Sequence, residues 1–73
     1  MKRKFKIIWI SVDAMFEVFA YKNIKAYHPP ENIPKGAVAI TSFFDAIRQC
    51  YGIILYHYSF PELEEAELIP ELL

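Results

Sequence analysis

Cys50, His57 and Asp45 are the residue types an activated thiol needs: a nucleophile, a base to take its proton, and an acid to orient the base. Their spacing argues against that use. Asp45 lies five residues before Cys50. Cys50 falls on a stripe with Phe43, Phe44, Ile47 and Tyr51, where a free cysteine acts as a small hydrophobe. His57 sits between Tyr56 and Tyr58. No catalytic residue is assigned, and the protein is expected not to be an enzyme.

Metal and nucleotide chemistry find no better footing. His28, His57 and Cys50 have neither C-x-x-C nor H-x-x-x-H spacing. Glu62, Glu64, Glu65, Glu67 and Glu71 lack the glycine and alternating oxygen ligands of a calcium loop. Gly36 and Gly52 are the only glycines, so no phosphate-cradling loop can be written. No cofactor or metal is expected.

Nucleic acid is the alternative reading. Lys2, Arg3, Lys4 and Lys6 surround Phe5, and Trp9 follows. Cations interleaved with aromatic rings suit a polyanion carrying stackable bases. The chain as a whole does not, with a net charge of −1 and a pI of 6.1. The charge is polarised, however. Residues 1–35 sum to +4 and residues 36–73 to −5, so an acidic tail could mask a basic start.

The leading expectation comes from apolar surplus. Of 73 residues, 55% are apolar and 16% aromatic. A chain of this size buries only about 60–65% of its unfolded surface. A single cysteine leaves no internal disulfide to compensate. Burial against another chain remains, as a homo-oligomer or with an obligate protein partner. Tyr56, Tyr58 and Phe60 are expected to share one strand face, with Ile53, Leu55 and His57 on the other. Tyr56, Tyr58, Phe60, Leu63, Leu68 and Leu72 are the candidate interface residues, because aromatic and leucine side chains carry most contact area. The protein reads as a small non-catalytic interaction module that self-associates and regulates or inhibits a larger partner. The lone cysteine fits a reducing, cytoplasmic setting. The uncharged run from 49 to 61 is too short to span a bilayer, so no membrane role is expected. The basic start followed by residues 7–12 has a signal-peptide outline, but Asp13 and Glu17 interrupt it.

The elements that would position these residues follow from pattern. Residues 5–12 read as a strand apolar on both faces. Residues 13–26 fit a helix with Met15, Phe16 and Phe19 on one stripe, or a second strand. Residues 28–36 hold three prolines and form a stiff loop. Residues 37–41 read as a short strand, or as the start of a helix over 34–51. Ser42 and Asp45 resemble a capping box opening a helix over 43–51, stopped by Gly52. Residues 53–60 form a strand ended by Pro61. Residues 62–73 read as a short acidic helix broken near Pro70. The expected fold is α+β: a three-stranded sheet, mixed or antiparallel, with one or two packed helices. Residues 1–60 form the core domain and residues 61–73 an acidic amphipathic tail.

Overall fold

The computed structural model describes residues 2–72. Three strands carry the architecture: β1 (Phe5–Ser11), β2 (Val38–Asp45) and β3 (Cys50–Tyr56). Their order is β1-β3-β2, with β3 central and both neighbours antiparallel to it. The α+β class is therefore as expected, and the sheet is antiparallel rather than mixed. β3 is the most β-prone stretch of the chain, and it holds the one position bonded on both sides.

Strand β1 ends in a helix, α1 (Val12–Ala20). Ser11 caps it, its hydroxyl oxygen accepting from the Ala14 N–H at 3.0 Å. Asp13 adds negative charge to the first turn. The helix is shorter than residues 13–26. Lys22 enters the left-handed region at φ 60°. The Asn23 N–H bonds back to the Glu17 carbonyl at 3.0 Å, a left-handed helix stop made without glycine. A single 3₁₀ turn follows at Ile24–Ala26.

The expected helix over 43–51 does not form. Val38–Asp45 is a strand, Cys50–Tyr56 is another, and a four-residue turn joins them. Phe43 and Phe44 prefer a pleated surface, and tertiary pairing decides between two local patterns that both fit. Asp45 works as a turn residue. Its Oδ1 accepts from the Ile47 N–H at 3.0 Å and the Arg48 N–H at 3.2 Å. Gln49 takes the left-handed corner at φ 55°. Ile47, expected in a buried stripe, projects into solvent from the turn. Gly52 is mid-strand rather than a helix stop. A Cβ there would lie 2.6 Å from the Phe43 ring and 3.0 Å from Trp9, so it serves close packing instead of a turn.

The tail is not a helix either. Residues 62–69 lie between two prolines, and three of the glutamates crowd Glu64 to Glu67. So short and self-repelling a segment cannot hold a helix alone. Instead it lies along the free edge of β1. The Leu63 N–H donates to Arg3 O at 2.8 Å, the Ile7 N–H to Pro70 O at 2.9 Å, and the Leu72 N–H to Ile7 O at 2.9 Å. Ile7 and Glu71 form a parallel bridge.

Side chains alternate across the sheet, so the register sorts them into two faces. Ile8, Ile10 and Leu55 point to the covered face, where Ile8, Leu55, Phe60 and Leu72 form the core with Ile33 and Ile53 against it. Phe5, Ile7, Trp9, Ile54, Tyr56, Thr41 and Phe43 point to the opposite face.

Candidate interaction surface

The interface residues chosen from sequence separate into two groups. Phe60, Leu63 and Leu72 are buried, so they hold the domain together and are not offered to a partner. The chain turns after β3, the Phe60 N–H donating to His57 O at 3.1 Å. That turn swings Phe60 into the core and away from the face of Tyr56. Leu63 and Leu72 are buried because the tail docks on β1, which the sequence alone does not specify. Tyr56 is half-buried on the open face, its ring 6.2 Å from Phe5 in an edge contact. Tyr58 and Leu68 are exposed, Leu68 at 90%.

His57 explains the position of this turn. It is buried and has a partner on each ring nitrogen. Nδ1 accepts from the Ser59 N–H at 3.1 Å, so Nε2 carries the proton and donates to Lys35 O at 3.0 Å. The imidazole ties the proline-rich loop to the end of β3, which is a structural task.

The thiol arrangement is not assembled. Cys50 begins β3 and His57 follows its end. Seven strand positions separate them by about 23 Å at 3.3 Å each. They also point to opposite faces. Among the described residues no three His, Cys, Asp or Glu side chains approach closely enough to hold a metal. No helix among them is long and apolar enough to cross a membrane.

The basic start is engaged by the chain's own tail. Arg3 Nη1 donates to Glu64 O, and its Nη2 to Glu67 O at 3.5 Å. Lys4 Nζ donates to Tyr58 O at 2.9 Å. Lys6 Nζ lies 5.4 Å from the Phe60 ring centroid. Lys6 belongs to the covered face, whereas Phe5, Trp9, Phe43 and Tyr56 belong to the open one. Lys6 and the stacking rings therefore do not share a surface. At the end of the open face Arg48 is offset by Asp45 at 3.7 Å and Glu71 at 3.2 Å. A polyanion needs concentrated positive charge beside its stacking platform, and this face supplies one paired arginine.

What sequence reasoning missed is β2. Val38–Asp45 is exposed along nearly its whole length. Val38, Ile40, Phe43 and Phe44 are 49, 42, 39 and 47% exposed. Their inner sides are packed: Phe43 meets Trp9 at 5.5 Å edge-on, and Phe44 meets Tyr51 at 5.1 Å. Phe16 and Phe19 of α1 are also exposed. With Val12, Met15, Ala20 and Tyr51 they line an open apolar cleft of about 380 Å³. The signal for β2 is an uncharged run from Gly36 to Phe44, whose pattern divides between a short strand and a helix start and does not by itself show one edge strand.

No protein-family model, curated protein or solved structure matches this chain.

Proposed function

We propose that this protein is a small non-catalytic interaction module that works by self-association, its assembled form meeting a larger protein. The observation that carries this is the exposure of β2, an apolar strand with a bare outer side. The quantity of surface agrees. The chain exposes 5576 Å², against about 4,700 Å² for a folded monomer of this mass. The surplus of about 900 Å² is near the 800 Å² or so that each partner buries in a standard interface. The fold is also extended, with a radius of gyration of 13.2 Å where about 11 Å suits this length. The aromatic open face around Trp9 and Tyr56 has the composition of an interface core, and it is the surface assigned to the larger partner.

Light scattering coupled to gel filtration tests the reading. The expected mass at micromolar concentration is a multiple of 8.6 kDa. A folded 8.6 kDa monomer would overturn it.

A further inference from the structure

We infer that the occupant of the bare β2 edge is a second copy of the same strand, paired antiparallel across a two-fold axis at Ser42 to make one continuous six-stranded sheet. This rests on the self-association proposed above and adds the surface and its symmetry.

The first argument is directional. Phe43 points to the open face and Phe44 to the covered face, yet both are exposed. A partner laid on either face would cover one of them and leave the other. Only a neighbour in the plane of the sheet covers both. Such a neighbour is a strand.

The second argument is the backbone. The ladder between β1 and β3 is phased by the His57 N–H donating to Lys4 O at 3.3 Å and the Val12 N–H donating to Gln49 O at 3.0 Å. Odd-numbered residues of β3 therefore bond to β1, and even-numbered ones to β2. Gly52 and Ile54 face Phe43 and Thr41. Ser42 and Phe44 consequently aim their N–H and C=O groups away from β3. They form an unfilled edge ladder.

The third argument concerns what fits. The other sheet edge is covered by the tail, through Ile7, Pro70 and Leu72, so this fold protects one edge and leaves one open. Edge strands that avoid pairing carry charges or proline. From Gly36 to Phe44 there is neither. The bulge between Ala39 and Thr41 lies toward one end and leaves Thr41 to Asp45 in regular register. The one charge of β2, Asp45, sits at its end and is paired with Arg48. A two-fold at Ser42 keeps it apart from the Asp45 of the copy, so no like charges face one another. With Ser42 on the axis, Phe43 of each copy lies opposite Thr41 of the other, inside the regular segment. Aromatic residues thus meet β-branched ones, which are favourable cross-strand pairs. An isologous contact of this kind closes as a dimer.

The test introduces charge at the axis. Ser42→Lys and Ser42→Glu each place like charges opposite one another, and an equimolar mixture places opposite charges there. Light scattering is expected to show a dimer for the unaltered chain, near 8.6 kDa for each variant alone, and a dimer again for the mixture. The dimer dissociation constant of each single variant should rise about tenfold or more. Amide hydrogen exchange supplies a readout that needs no variant: the Ser42 and Phe44 amides should be protected in the dimer. A dimer that persists in both variants, with those two amides exchanging freely, would overturn the edge pairing and leave self-association standing through another surface. A monomeric unaltered chain would overturn both.

Discussion

The guanidinium of Arg48 lies 4.5 Å from the centre of the Trp9 ring. Arg48 belongs to the turn between β2 and β3, and Trp9 to β1, so the contact spans the sheet. The same side chain reaches Glu71 of the tail, with Nη1 at 3.2 Å from Oε1. One residue thus links the hairpin turn, the far strand and the docked tail.

Arg48→Ala should cost about 1 kcal/mol in urea unfolding. The partners are half exposed, so the ion pair contributes little and the stacking over Trp9 contributes most. Arg48→Lys should recover only part of the loss, because an ammonium keeps the charge without the planar group. A Lys variant as stable as the parent would show that charge alone matters.

The tail gives a sharp contrast between two leucines. Leu72 is buried against Ile8, Leu55 and Phe60, and Leu72→Ala should cost about 2–5 kcal/mol. That is a large share of the 5–15 kcal/mol or so typical of a domain. Leu68 is 90% exposed, and Leu68→Asp should change stability by less than about 0.5 kcal/mol. Thermal melts of the two variants check this. Equal melting temperatures would mean that the tail does not dock along β1.

These assignments also mark where local sequence sufficed. The strand over residues 5–12 and the first half of the one over residues 53–60 are legible because β-branched and aromatic residues cluster there with little charge. The helix after Ser11 was legible from its stripe and first-turn acid. The hairpin was not. Its turn, Ala46-Ile47-Arg48-Gln49, contains no glycine, asparagine or proline, and the local turn residue, Asp45, reads equally well as the acid of a helix start. Phe43, Phe44, Ile47 and Tyr51 satisfy helical spacing by coincidence. The tail's conformation depends on the free edge of β1, more than fifty residues away, which no local pattern encodes. The candidate surface is less legible: of the residues that the sequence offers, Phe60, Leu63 and Leu72 are buried, and the exposed apolar strand is β2.

Gly52 offers a test of packing across the sheet. A methyl group there would press on Phe43 and Trp9, whose rings meet at 5.5 Å. Gly52→Ala should cost about 1–3 kcal/mol and shift Trp9 fluorescence. Removing the obstructing ring should relieve the strain, so Gly52→Ala combined with Phe43→Ala should cost less than the sum of the two single changes. Additive losses in that cycle would show that the three residues do not share one site.

Tyr27 sets the expected behaviour in alkali. Its hydroxyl is buried without a hydrogen-bond partner within the described chain. Desolvation holds its pKa above the ordinary 10.0. As pH rises through about 10, the unfolded chain loses this proton before the folded one does. The folded state then binds more protons, so stability is intact below pH 10 or so and falls as pH increases further. Tyr27→Phe removes both the unpaired donor and this linkage. The variant should be about 1 kcal/mol more stable at pH 8, and the difference should widen toward pH 11. Lysine titration affects both proteins alike, so comparing their urea midpoints across pH isolates the phenol. A constant difference between the two curves would place the Tyr27 hydroxyl in contact with water.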